Sequence, residues 1–163
     1  MSQKPFINVD DLEFKEQKNG KKFLANIAPI GALIGAEKLG YRMVVLPPGK
    51  AAWPFHSHLV NEEMFFILEG SGMLRHGSEE YTIKSGDVIC SPPKKDLAHQ
   101  IVNDSDAELK YLAISTNVDP DICIYPDSDK FGVYSGYYPK PDKDKQFFIM
   151  GREKDGLDYW DGE

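Results

Sequence analysis

Thiols are scarce in this chain, with two cysteines, Cys90 and Cys123, among 163 residues. Two isolated thiols lack the spacing of a structural thiolate metal site or of a paired redox motif and leave room for one disulfide at most, and a reduced, cytoplasmic setting is the simplest expectation. Long apolar runs are also missing, so no segment reaches the length of a membrane-spanning helix. The start, Met1-Ser2-Gln3-Lys4-Pro5, lacks an apolar targeting segment. Basic residues are outnumbered, 19 against 26 acidic, for a net charge of −7. Nucleic acid usually selects a basic surface, and no basic cluster offsets the deficit. Ser57, Ser71, Ser85 and Ser91 lack a nucleophile elbow, and Gly31, Gly35 and Gly40 do not make a dinucleotide fingerprint. Internal repeats are absent too. With 41% hydrophobic residues, the chain has enough apolar material for one domain.

What is present is a succession of short strand-forming runs punctuated by Gly, Pro and Asn. Strands are expected at 22–26, 32–36 and 41–46, separated by Pro29, Gly31 and Gly40, then at 63–69, 72–75, 80–83, 87–90, 99–103 and 109–114. No long helical period competes, so the domain is all-β. The polar residues 1–20 are expected to form an arm. Residues 119–163 hold Tyr134, Tyr137, Tyr138, Phe147, Phe148, Tyr159 and Trp160 among Gly, Pro and charges. These aromatics are expected to pack the tail onto the rest of the molecule, since aromatic side chains dominate burial, the alternative being that they line a pocket.

The chemistry lies in His56-Ser57-His58. Side chains alternate along a strand, so His56 and His58 point the same way. Glu63 starts the next strand, and His99 starts another after the loop at 91–96. Three imidazoles and one carboxylate then arrive from neighbouring strands. Such a nitrogen and oxygen set suits one divalent first-row ion, Mn, Fe, Co, Ni or Zn, with positions left open for a ligand. The fourth histidine, His76, falls in the polar stretch Arg75-His76-Gly77-Ser78-Glu79 and is expected to be a solvated loop residue.

Strand parity gives the surroundings. With Glu63 inward, Phe65 and Ile67 are inward; with His99 inward, Ile101 and Asn103 follow. Phe65 and Ile101 are therefore expected to line an apolar site. The opposite face of the first strand carries Met64, Phe66 and Leu68, and needs a cover from the chain's own terminal segments or from a second subunit. A homodimer is the preferred expectation.

These residues resemble the cupin superfamily. Its first motif has a Gly, His-x-His, a Glu three or four residues on, and a Gly six residues beyond. Here Gly49 leads to His56 and His58, four residues precede Glu63, and six more precede Gly70. One extra residue lies between Gly49 and His56. The second motif is met by Gly86, Pro92, His99 and Asn103, with Lys94 in place of a Gly and two added residues before His99. By this resemblance His56, His58, Glu63 and His99 match the family's metal ligands. The fold implied is a small antiparallel β-barrel of jelly-roll type over 21–118, with 119–163 packed on the barrel or on a partner.

Cupins include dioxygenases, decarboxylases, isomerases, epimerases and non-catalytic binding proteins, so the fold names no reaction. The reading preferred here is a metal-dependent enzyme of isomerase, lyase (decarboxylase) or dioxygenase type acting on a small oxygen-rich molecule, a sugar, sugar phosphate or organic acid, with Glu63 as catalytic carboxylate. The alternative is a non-catalytic metal- or sugar-binding module. Lys94 and Lys95, in the lengthened loop before His99, are expected at the barrel mouth, favouring an anionic ligand. No nucleic-acid or membrane partner is expected.

Overall fold

Alternating burial along the strands builds a β-sandwich around one core. The computed structural model describes residues 4–137 and 142–163; Met1 to Gln3 and Tyr138 lie outside the described residues. The order is β1 (Lys15–Asn19), β2 (Phe23–Pro29), α1 (Gly31–Ile34), β3 (Leu39–Leu46), β4 (Ser57–His58), β5 (Glu63–Glu69), β6 (Ser71–His76) and β7 (Glu79–Lys84). It continues with β8 (Val88–Ser91), β9 (His99–Val102), β10 (Leu109–Thr116), β11 (Asp121–Tyr125), β12 (Lys130–Ser135) and β13 (Phe147–Gly151). The strands pair antiparallel in sheets ordered β1-β2-β3-β10-β5-β8, β7-β6-β9 and β13-β12-β11-β4. The all-β jelly-roll expectation holds. Among the described residues no helix is long and apolar enough to cross a membrane.

The inward residues predicted from parity are inward. Phe65, Ile67 and Ile101 join Val44, Leu46, Leu109 and Tyr111 in the buried core. Asn103 is fully buried, and its role is structural: Nδ2 donates to the carbonyls of Leu46 at 2.8 Å and Ala107 at 2.7 Å. Gly70 is fixed by space as well as by its φ of +81°, because a Cβ there would come within 2.3 Å of the Glu108 carbonyl oxygen.

Outside the six-stranded sheet lies a second apolar cluster, in which Leu12, Ala28, Ile30 and Met43 meet Ile7, Ile34, Leu68 and Leu112. The chain's own arm and α1 thus cover part of the outer face of β5. The strand expected at 32–36 is instead α1. Gly35, inside the expected strand, ends it in a left-handed conformation with φ 80°, and its N–H bonds back to the Gly31 carbonyl, so the two glycines bound a helical turn.

His76 is not the solvated loop residue expected. It ends β6 directly across from His99 and is half-buried, because β6 extends one residue further into the hairpin than its polar sequence indicates.

Candidate metal centre

Backbone pairing brings the histidines together before their side chains act. His56 N–H donates to the His99 carbonyl at 3.1 Å, and His99 N–H donates to the His56 carbonyl at 2.7 Å. Their rings lie 4.7 Å apart between centroids, and the His58 ring is 5.1 Å from His56. Glu63, the first residue of β5, completes the group. Its Oε2 is 2.9 Å from His99 Nε2 and 3.4 Å from His58 Nε2.

Partners on the far side of two rings set which nitrogen faces inward. His56 Nδ1 donates to the Pro54 carbonyl at 2.8 Å, and His58 Nδ1 donates to Asp121 Oδ2 at 2.5 Å. Each turns Nε2 toward the cluster, the orientation typical of histidines that ligate metals. Glu63 Oε2 and both His99 ring nitrogens are buried without a hydrogen bond, which is costly unless another group completes them. Two ligand atoms each about 2.1 Å from one ion sit roughly 3.0 Å apart at a right angle and roughly 3.4 Å apart at a tetrahedral one. The separations around Glu63 match this span.

Electrostatics point the same way. Burial, reinforced by His99, lowers His56 to about 4, leaving a neutral ring near pH 7. Burial also opposes charge on His58, but its contacts with Asp121, Cys123 and Glu63 outweigh it and push the ring up to about 12, so the Nε2 proton is one that a bound cation would displace. Burial works against the Glu63 carboxylate too, yet the adjoining His58 and His99 rings hold it well below the usual carboxylate range. The field of two carboxylates therefore favours positive charge among these donors.

The cluster opens into a cavity of about 230 Å³, small enough for a compact ligand. Phe65 and Ile101 line it, and the Phe65 ring is 5.3 Å from that of His99. Lys94 and Lys95 do not line it. The Ser57 hydroxyl, on the opposite parity from His56 and His58, donates to the Lys95 carbonyl at 3.0 Å, so the loop runs along the outer side of β4. There Lys95 Nζ pairs with Glu153 at 2.5 Å. Closeness to His99 in sequence did not carry the lysines to the mouth.

The tail supplies a wall: Tyr134 takes the pocket-lining alternative weighed for the tail aromatics, whereas Asp121, Cys123 and Tyr125 were not singled out from the sequence. β11 pairs with β4, Cys123 opposite His58. This places Asp121, Cys123 and Tyr125 on the cavity, with Tyr134 of β12 behind them. The Tyr125 ring stacks on His56 at 5.9 Å, and its hydroxyl is 2.8 Å from that of Tyr134. Burial and this hydrogen bond push the Tyr125 phenol up, so it keeps its proton. Other tail aromatics do not pack as expected: Phe147, Phe148, Tyr159 and Trp160 are exposed. The available signal was the alternation Asp121, Cys123, Tyr125, which puts three polar-capable side chains on one strand face.

Comparison with known proteins matches this architecture. Residues 42–115 fit the model of the cupin domain. A 60-residue stretch is 40% identical to an uncharacterised protein of Methanocaldococcus jannaschii, spanning 37% of this chain and 46% of that protein. The chain thus spans about half the length of that relative. Over 95 residues it is 30% identical to the oxalate-binding protein of Thermotoga maritima, spanning 58% of this chain and 75% of the relative. The chain belongs to the cupin superfamily. Among solved structures, this cupin superposes on a putative sugar phosphate isomerase from Acidithiobacillus ferrooxidans with a TM-score of 0.79 and 22% identity. The likeness covers 94% of this cupin and 96% of that chain, so the shared fold extends beyond the barrel.

Proposed function

We propose that this cupin binds one divalent first-row ion (Mn, Fe, Co, Ni or Zn) through His56, His58, Glu63 and His99. In this reading it is an enzyme acting on a small sugar, sugar phosphate or organic acid, by isomerase or lyase chemistry. The observation that carries the proposal is the convergence of three imidazoles and one carboxylate, with buried donor atoms of Glu63 and His99 lacking hydrogen bonds. When bound, the ion supplies Lewis-acid stabilisation of developing negative charge on a ligand oxygen.

The chain's own groups supply the rest. Glu63 is the catalytic carboxylate, and Tyr125 holds a proton beside the cluster, backed by Tyr134. Phe65 and Ile101 exclude water from one side of the ligand. Isomerisation and decarboxylation both pass through anionic intermediates that such a site stabilises. The superposition on a putative sugar phosphate isomerase supports the isomerase type. A second reading, a non-catalytic binding module, is favoured by the resemblance to an oxalate-binding protein.

Self-association belongs to the same proposal. Met64 and Phe66 are only half-buried, and Phe147 to Met150 of β13 are exposed, so apolar surface is left for a second copy. A cytoplasmic setting rests on the cysteine content alone.

Metal analysis of protein purified from its own host tests the ion. The metal-loaded protein is then incubated in D₂O with sugar phosphates and with dicarboxylates, with and without air, and followed by NMR. Deuterium incorporation or product formation without oxygen supports isomerase or lyase chemistry. Turnover only in air moves the assignment to a dioxygenase, and tight binding without turnover makes the module the better description.

A further inference from the structure

Arg42 is the only lysine or arginine among the described residues that line the cavity. It stands on β3 at the parity of the buried Val44 and Leu46, which points it toward the interior. Among the described residues no carboxylate pairs with it and no hydrogen bond uses its five N–H donors. Its guanidinium instead lies over the Trp53 ring, 5.4 Å from the centroid. That contact holds the side chain in place without neutralising its charge.

The support behind Trp53 is fixed as well. Gln100 Nε2 donates to the Trp53 carbonyl at 2.7 Å, and Arg75 donates to Gln100 Oε1 at 3.1 Å. The other charged groups on the cavity already have partners. Asp121 accepts from His58 and from Ile122 N–H, and both oxygens of Asp119 accept from Gly136 N–H. Glu63 belongs to the donor cluster. Arg42 alone offers full charge and unused donors to whatever enters. Arg42, Glu63 and the buried Tyr111 line the same cavity.

We propose that Arg42 is the anion-recognition residue of this cavity, binding a carboxylate or phosphate group of a small ligand whose remaining oxygens face His56, His58, Glu63 and His99. The inference rests on the metal reading above and narrows its ligand to an anion. A planar guanidinium with free donors matches either oxyanion in bidentate fashion. The cavity of about 230 Å³ has room for a compact molecule.

The test is isothermal titration of manganese-loaded protein with malonate, glucose 6-phosphate and glucose, on the wild type, R42Q and R42K. The wild type is expected to bind at least one of the two anions, and which one distinguishes carboxylate from phosphate. R42Q should weaken that binding by about 10- to 100-fold, the size of a lost charge-assisted bond. R42K keeps the charge and stem but loses the fork, and should weaken it by at least about threefold. Binding of glucose and manganese content should not change. If neither anion binds the loaded wild type, or if R42K and any folded R42Q bind the anions as the wild type does, the proposal is overturned. Failure of the wild type to hold manganese or another first-row ion would overturn the metal reading instead, and is seen before any ligand is added.

Discussion

The His58 imidazole, in the barrel, and the Asp121 carboxylate, in the tail, share a 2.5 Å hydrogen bond across 63 residues of sequence. It fixes the His58 tautomer and turns Nε2 toward Glu63. Replacing Asp121 with Ala should lower metal affinity by about 10- to 100-fold, the usual cost of losing such an outer partner. Asp121→Asn, which keeps an acceptor, should cost less. Competition with a chromogenic chelator measures both, and an unchanged affinity in the Ala variant would reduce the contact to packing.

Removing two of the donors should abolish binding altogether. A His56→Ala, His99→Ala variant leaves only His58 and Glu63, too few to hold an ion against water and buffer. Elemental analysis after reconstitution should find it metal-free, and full occupancy would discard the four-residue assignment.

Asn103→Ala should leave the cluster intact but weaken the fold. The Leu46 and Ala107 carbonyls lose their donor in a buried place, a loss of about 1–3 kcal/mol. For a chain of this size that is a fall in Tm of roughly 2–12 °C. A variant as stable as the wild type would show that water replaces the amide.

Acid should loosen the tail. Arg75 donates to both oxygens of Asp127, at 2.8 and 3.0 Å, and this bond holds the Asp127 carboxyl below its usual value. A carboxylate depressed on folding contributes stability that is present above its unfolded pKa and lost as pH falls through the folded one. Proteolysis by an acid-active protease should therefore cut the 126–137 segment faster as pH drops below about 4. Asp127→Asn should show that faster cutting already at higher pH. The same rate in both proteins at every pH would remove the pair from any role in docking the tail.

Sedimentation should report about twice the chain mass of 18.4 kDa, with association through the exposed apolar residues of β13 or beside the half-buried Met64 and Phe66. A monomer at all accessible concentrations would show that the arm and α1 are a sufficient cover.

The barrel and the donor cluster were legible because both rest on local rules. Alternation marked β5 and β9, and two-residue spacing put His56 and His58 on one face. The motif glycine at 70 and Asn103 have local steric and hydrogen-bonding reasons. Asp121 and Tyr125 were not legible, since their place depends on β11 pairing with β4, a contact no periodicity reports. Arg42 had a readable signal in its parity with Val44 and Leu46, but a lone charge in an apolar strand reads as an outward residue. The Lys94–Lys95 expectation failed for the converse reason: sequence nearness to His99 carries no direction, and the Ser57 hydroxyl draws that loop to the outer side.

β4 is two residues long, and its one sheet neighbour among the described strands is β11. His58 is thus held by the tail, and occupancy and docking become linked equilibria. By reciprocity, whatever factor the seated tail adds to cation affinity, the cation returns to the seating of the tail. Amide protection along Ile122 to Tyr125 then serves as a gauge of what the centre holds, read from the strand that backs His58.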